Sequence, residues 1–278
     1  MTKVDLQIGL GRCETASEPV GSWRAGAMAA LLDRPIPEPG SSLPMLWHWM
    51  YSVTTVPQAR LAGDGHPKRG DFIPCFPQTS RMWAGSKLEL LGDIRIGDEL
   101  NRKSEIVDIR ETSGSSGEIV WVTLENAYST QRGLAVREYQ DIVYRHAPRG
   151  DHKLRNREPI RIGIEARRTV SPDERLLFRF SALTFNAHRI HYDLAYAQNV
   201  EGYPGLLVHG PLLATLLMDL WEENPRRPVL RSLQIRALAP AFAGEQLELC
   251  IGEPAAEHQT LWVQRQNGNA VMRIELDF

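Results

Sequence analysis

The chain has 278 residues, a length that fits one large domain or two of ordinary size, and we predict two. Its composition, 42% hydrophobic and 24% charged, is typical of a soluble globular protein, and no apolar stretch is long enough to cross a bilayer. A net charge of −2 gives no general attraction to nucleic acid, so we expect neither a nucleic-acid partner nor a membrane partner.

The first 21 residues have no continuous apolar core between a basic end and a small-residue cleavage site, so they do not predict a secretory signal. Cys13, Cys75 and Cys250 are far apart and odd in number, which favours neither a disulfide framework nor a CxxC metal site. We therefore expect a cytoplasmic protein with reduced cysteines, and we place Cys250 in a strand.

The first predicted element is a short helix in WRAGAMAALLD (23–33). The loop RPIPEPGSSLP (34–44) follows it, because proline and glycine break regular structure. Further on, the sequence RMWAG contains Arg81 and Trp83 just ahead of a predicted strand at 87–91. Two interpretations stay open here: a loop that enters the strand, or a pocket wall in which both side chains contact a ligand.

A weak internal repeat joins the two halves of the chain. KLELLGDIRIGDEL (87–100) and QIRALAPAFAGEQL (234–247) superpose at one offset, which aligns Gly97 with Gly244. Each segment opens a series of alternating apolar residues that is broken by Gly, Ser and Asn turns, a pattern typical of an antiparallel meander. Each half is therefore predicted to end in a meander.

A basic stretch, residues 144–168, follows the first meander and is rich in arginine but diluted by acidic residues. The more ordinary interpretation is a solvated linker between domains. The alternative is a binding strip for a phosphorylated ligand, since guanidinium groups suit phosphate oxygens.

The sequence FNAHRIHYD (185–193) sets an amide, two imidazoles, a guanidinium and a carboxylate within nine positions. His188 and His191 stand at i, i+3 spacing, which could indicate a metal, but no third ligand lies at a familiar spacing and we expect none. Alone, such a motif more often marks packed or surface histidines. Asp193 is expected to cap or steady the helix that follows it.

The segment YPGLLVHGPLLATLLMDLW (203–221) predicts a helix that is apolar on nearly every side and is therefore buried. We place Gly210 at the N-cap and Pro211 at the first helical position, which suits both residues. Free N–H groups at the positive end of this helix could then stabilise a negative charge that develops on a ligand.

Together, these two segments resemble the hydratase signature of the MaoC-like, hotdog-fold enoyl-thioester hydratases and dehydratases over residues 178–221. The resemblance implies that Asn186 and His191 hold the reacting water, and that His209 and Gly210 bring a backbone N–H to the thioester oxygen. The family's usual aspartate is Asn186 here, and an amide cannot act as a general base. His191 is therefore expected to carry the proton, while Asn186 orients the water.

Pattern and resemblance together predict an α+β fold, a double hotdog with two antiparallel sheets, each wrapped around a central helix. Residues 1–150 would form a degenerate hotdog domain that shapes the acyl pocket, since they contain no counterpart of the motif. Residues 151–278 would form the MaoC-like hotdog domain that carries it. A homodimer through the sheet edges would cover exposed strands.

The expected substrate is an acyl-CoA, and no cofactor is expected because coenzyme A is part of that substrate. A short branched dicarboxylyl group needs a cation, for which Arg81 and Arg189 are the candidates; Trp83, His188 and His209 are further candidate substrate contacts. The segments GHP, RMWAG, TFNAHRIHYD and HGPL resemble itaconyl-CoA and mesaconyl-C4-CoA hydratases, which implies hydration to citramalyl-CoA in itaconate catabolism. The alternatives are a 3-hydroxyacyl-thioester dehydratase of fatty-acid metabolism and a non-catalytic double hotdog that binds CoA thioesters.

Overall fold

The structure, a computed structural model, describes residues 6–78, 80–114, 117–146 and 159–278. In the first half, the described residues form one α-helix and five strands: β1 (Cys13–Pro19), α1 (Ser22–Leu31), β2 (Ser80–Leu90), β3 (Glu99–Gly114), β4 (Gly117–Thr130) and β5 (Gly133–Arg145). Strands β3, β4 and β5 pair in sequence as the predicted meander. Alternate residues of β4 are buried, as expected for a strand with one face on a core.

The second half contains β6 (Ile164–Val170), α2 (Glu174–Leu183), α3 (Leu194–Asn199), α4 (Gly210–Glu222), β7 (Ser232–Ala237), β8 (Leu247–Gly252), β9 (His258–Arg265) and β10 (Ala270–Asp277). The linker prediction for residues 144–168 is corrected at its end, because β6 begins at Ile164 and pairs with β8. The predicted domain boundary between residues 150 and 151 lies outside the described residues.

All ten strands belong to one continuous antiparallel sheet, in the order β1-β3-β4-β5-β2-β7-β10-β9-β8-β6. Followed from its outer edge inward, each half therefore has the same strand order. Numbered along the chain within that half, the strands come as first, third, fourth, fifth and second. The halves meet where β2 pairs with β7 from Gly85↔Arg236 to Glu89↔Ser232. We predicted two antiparallel sheets. They join into one because β2 and β7 lie at the inner edges of the two halves, and the backbone groups that each edge would leave unpaired bond to the other strand.

The pairing of β2 with β7 also settles the position of the RMWAG sequence, which lies within β2 and is not a loop before it. Gly85 stands at the junction with φ +155, and a Cβ there would lie 2.1 Å from the Ile235 oxygen. Only glycine lets the two backbones approach this closely.

The main hydrophobic core is shared between the halves. One cluster of buried side chains includes residues of α1, α2 and α4 and of strands on both sides of the junction. Every residue of α4 from 212 to 221 is buried, which confirms the prediction of a helix that is enclosed on all sides. No helix in the described part of the chain is long and apolar enough to span a membrane.

A charged clamp holds α4 near its carboxyl end. Asp219, which is buried on α4, pairs with Arg34 of the first half (Nε to Oδ1, 3.2 Å) and with Arg168 of β6 (Nη1 to Oδ2, 2.7 Å). Two guanidinium groups from different halves thus share one carboxylate, so the clamp ties α4 both to the first half and to β6 of the second.

Candidate active site

The motif lies in the connection between α2 and α3, and local hydrogen bonds fix its path. Phe185 adopts a left-handed conformation, φ 51°, immediately after α2. The Asn186 N–H then donates to the Ser181 carbonyl at 2.9 Å, and the Asn186 Oδ1 accepts from the His188 N–H at 3.0 Å. A 3-10 turn at Arg189–His191 follows. The Asn186 amide is thus held at the start of a tight turn.

His191 has the geometry of a neutral base. Its Nδ1 lies 2.8 Å from the Leu207 carbonyl oxygen. Because a carbonyl only accepts, Nδ1 carries the hydrogen and Nε2 keeps its lone pair. Burial lowers the pKa of His191 to about 4, although the hydrogen bond to Leu207 opposes this shift. The hydrogen bond found for the His191 ring among the described residues is the one through Nδ1, which leaves Nε2 without such a partner.

His209 supports His191. The two rings are stacked, with centroids 3.6 Å apart and planes 20° from parallel. The Nε2 atom of His209 shares a hydrogen bond with the Ser181 Oγ at 2.8 Å, and only 1% of the residue is exposed. The structure therefore places His209 as packing that orients His191, which differs from the predicted direct contact with substrate.

The start of α4 lies one residue earlier than predicted. His209, with extended backbone, is the N-cap, and Gly210 is the first helical residue. The prediction of Gly210 as N-cap is wrong by one position because the His209 carbonyl already accepts the first helical hydrogen bond, from the Leu213 N–H at 3.1 Å. The Gly210 N–H has no partner among the described residues and lies at the positive end of the helix.

Trp83 covers this helix start. A Cβ on Gly210 would lie 2.5 Å from Cε3 and 2.7 Å from Cζ3 of the Trp83 ring. The indole Nε1 donates to the Ser86 Oγ at 3.3 Å, which fixes its rotation. Trp83 therefore contacts Gly210, and strand β2 of the first half closes over the helix of the second; Arg81 of the same strand lines the neighbouring cleft, whereas Trp83 does not.

A cleft of about 810 Å³ runs beside the motif and is lined by both halves. The second half contributes Asn186 and Pro211, the neighbours of the base and of the helix start. From the first half come charged and polar residues and the buried ring of Tyr128. His191 is 8% exposed and is not itself part of the lining, whereas Asn186, five residues before it, lines the cleft.

A loop of the first half is fastened to the motif. The Arg189 N–H donates to the Asp64 carbonyl at 2.9 Å, and the Arg189 Nη1 donates to the Gly63 carbonyl at 3.0 Å. Gly65 has φ +93, and a Cβ there would lie 1.8 Å from the Ala187 oxygen. Any other residue at position 65 would lift this loop from the motif.

The same loop brings His66 into the site. His66 lines the cleft, its ring centroid lies 4.3 Å from that of His188, and its Nδ1 lies 3.3 Å from the Arg81 Nη1. The ring centroid of His188 in turn lies 5.5 Å from that of His191. Burial lowers the pKa of His188 to about 2 and that of His66 well below its usual range. Sequence reasoning noted GHP as a family-like segment but did not assign His66 to the site.

Arg189 is engaged by the protein. Its Nη2 lies 2.7 Å and its Nε 3.1 Å from the Asp193 Oδ2, and its guanidinium lies 4.1 Å from the centroid of the Tyr196 ring. With the bond to Gly63, each of the three guanidinium nitrogens donates to a group of the protein itself; the predicted role of Arg189 as a substrate cation stays a prediction. Asp193 also accepts from the Tyr196 N–H, which confirms that it caps α3.

Among the residues that the structure describes, no group of three His, Cys, Asp or Glu side chains is placed to hold a metal ion.

The fold and the site define a hotdog protein with a histidine-bearing cleft between its two halves. The family model for hydroxyacyl-thioester dehydratase type 2 matches residues 46–243. Mesaconyl-C(4)-CoA hydratase of Chloroflexus aurantiacus is 45% identical over 246 residues, 87% of each chain. The chain therefore belongs to the hydroxyacyl-thioester dehydratase type 2 family, of the MaoC-like type, and is a hydro-lyase.

Solved structures agree with the fold at low identity. A MaoC-like dehydratase from Phytophthora capsici superposes with a TM-score of 0.73 at 12% identity, over 100% of this chain and 98% of that one. A Mycobacterium tuberculosis protein with a double hotdog fold gives 0.61 at 14% identity, over 96% and 95%. These similarities support the hotdog architecture alone.

Proposed function

We propose that this protein adds water to the double bond of a short branched dicarboxylyl-CoA, itaconyl-CoA or mesaconyl-C4-CoA, to give citramalyl-CoA in itaconate catabolism. One observation carries the chemistry: a neutral His191 with a free lone pair on Nε2, buried in one cluster with the residues that open α4, where the Gly210 N–H is unpaired. The name of the Chloroflexus aurantiacus relative supports the choice of substrate.

In the proposed reaction of mesaconyl-C4-CoA, whose double bond is conjugated with the thioester, Asn186 orients a water molecule and His191 accepts one of its protons on Nε2 as the oxygen bonds to the β-carbon. The double bond of itaconyl-CoA lies between the β- and γ-carbons, so this ester must first isomerise to the conjugated form. The π electrons of the double bond move toward the thioester carbonyl, whose oxygen gains negative charge. The Gly210 N–H and the positive end of α4 stabilise that charge. The proton from His191 then passes to the α-carbon, which completes the addition and restores the neutral imidazole.

Arg81 is the proposed partner of the free carboxylate. It lines the cleft, and its one hydrogen bond to a described residue, through Nη1, leaves the rest of the fork available. Asn186 fits the same substrate, because an amide at this position does not repel a carboxylate in the cleft.

The first half is proposed as a wall of the acyl pocket without a base of its own. Trp49, Asn126 and Tyr128 of this half line the cleft, and burial raises the pKa of Tyr128 beyond its usual range. The predicted homodimer stays a proposal; β1 and β6 end the sheet and are the edges that a second copy could cover.

The test is the loss of enoyl-thioester absorbance with mesaconyl-C4-CoA, crotonyl-CoA and a longer straight-chain enoyl-CoA. Itaconyl-CoA, whose double bond is not conjugated with the thioester, is followed by mass spectrometry as citramalyl-CoA forms. Preference for the dicarboxylyl esters, abolished in a folded His191→Ala variant, is the expected result. Preference for straight chains would favour the second candidate, a 3-hydroxyacyl-thioester dehydratase, which the description of the family supports. No turnover of any ester would leave a non-catalytic CoA-thioester-binding protein.

A further inference from the structure

We propose that His66 is a specificity-determining residue that binds the free carboxylate of the substrate together with Arg81. The inference rests on the proposed function and deepens it, because this histidine lies 120 residues before Asn186 and in the other half of the protein. His66 would thus give the first half, which carries no catalytic base, a polar contact with the substrate.

The contact with Arg81 fixes the tautomer of His66. A guanidinium only donates, so the His66 Nδ1, 3.3 Å from the Arg81 Nη1, must accept. The ring hydrogen is then on Nε2; the hydrogen bond found for this ring among the described residues is the one through Nδ1. His66 therefore offers one N–H donor beside a guanidinium that has donors to spare.

The position of His66 is set by backbone contacts on both sides. Its own N–H donates to the Asp64 Oδ1 at 2.9 Å, and the preceding Gly65 lies directly against the Ala187 carbonyl. The loop thus presents the imidazole at a fixed place on the cleft wall. Such a preorganised donor loses little entropy when it binds a ligand.

The charges around His66 favour a bound anion. Arg81 is a permanent cation, whereas His66, His188 and His191 are neutral imidazoles because burial lowers the pKa of each. The Asp64 carboxylate is turned toward the backbone N–H of His66. A carboxylate with two oxygens can take one hydrogen bond from Arg81 and one from the His66 Nε2, a charge-assisted pair.

The experiment is isothermal titration of wild type, His66→Phe and His66→Gln with two unreactive thioesters, succinyl-CoA and butyryl-CoA. Both carry four-carbon acyl groups, and only the first has a free carboxylate. We expect wild type to prefer succinyl-CoA. His66→Phe should lose about tenfold to 100-fold in affinity for succinyl-CoA, as for one hydrogen bond to a charged group, and keep its affinity for butyryl-CoA. His66→Gln, which retains an N–H donor, should keep most of the preference.

Unchanged butyryl-CoA binding also shows that the variant has folded with its cleft intact. The proposal is overturned if His66→Phe leaves the ratio of the two affinities unchanged, if it weakens both ligands alike, or if wild type shows no preference. Failure of the proposed hydratase reaction would be seen separately. If wild type turned over no enoyl thioester but His66→Phe still lost the preference for succinyl-CoA, the carboxylate site would stand and the proposed chemistry would not.

Discussion

The contact between Trp83 and Gly210 gives a prediction with a magnitude. An alanine at position 210 would place its Cβ 2.5 Å and 2.7 Å from two atoms of the Trp83 ring. Carbon atoms in contact stay about 3.5–4.0 Å apart, so the indole must withdraw by about 1 Å. The main core offers little room, since Trp83 packs against it and meets Trp49 edge to face.

Overpacking of this kind costs about 1–3 kcal/mol. For a chain of this size each kcal/mol lowers the melting temperature by about 2–4 °C. We therefore expect Gly210→Ala to melt several degrees below wild type. Since the indole that covers the helix start must move, we also expect kcat to fall more than the affinity for substrate.

The control is a double-mutant cycle with Trp83→Leu, measured by thermal unfolding of all four proteins. Leucine removes the ring that the new methyl group would strike, so Gly210→Ala should cost little in that background. An equal loss in both backgrounds would refute the reasoning, because the cost would then come from the helix start and not from the indole.

Three further predictions follow from the site and the clamp. Asn186→Asp should shift the ratio of kcat/KM for crotonyl-CoA over mesaconyl-C4-CoA upward by about tenfold or more, because like charges in a cleft repel; a downward shift would contradict the proposed carboxylate site. Burial lowers the pKa of His48, His188 and His191 to about 3, 2 and 4, so the unfolded chain binds more protons below its ordinary histidine pKa of about 6.5. Stability should thus be lost as the pH falls from 6.5 toward 4, and a flat urea midpoint over that window would contradict the burial. Asp219→Asn should destabilise the protein by about 1–3 kcal/mol in urea unfolding, since two guanidinium groups lose their shared carboxylate, and the loss should shrink in high salt if the pairing is electrostatic.

The parts of the fold that the sequence predicted correctly are those with local patterns. Both meanders follow from alternation, and α4 follows from a run that is apolar all round. The repeat predicted equivalent glycines, and Gly97 and Gly244 both have positive φ, 101° and 77°, just before β3 and β8. By contrast, α2 was missed although Asp173 is a regular N-cap, because the segment was interpreted as part of the motif.

The parts that the sequence could not predict depend on contacts across the chain. Nothing local shows that β2 pairs with β7, so the continuous sheet and the position of Trp83 over Gly210 were not accessible. Arg189 was assigned to a substrate carboxylate, but Asp193, four residues later, presents the same chemical group at closer range. The type of residue alone does not assign a guanidinium to a ligand when a carboxylate four residues away in the same tight turn can pair with it.

The pairing of β2 with β7 makes the site depend on both halves of the chain. The base and the helix start belong to the second half, whereas Arg81 and Trp83 stand on β2 of the first. If the second half existed alone, Gly210 would lose its cover and the cleft would lose its cation. On the proposed function, the first half therefore serves substrate selection through Arg81 on β2 and through the loop that carries His66.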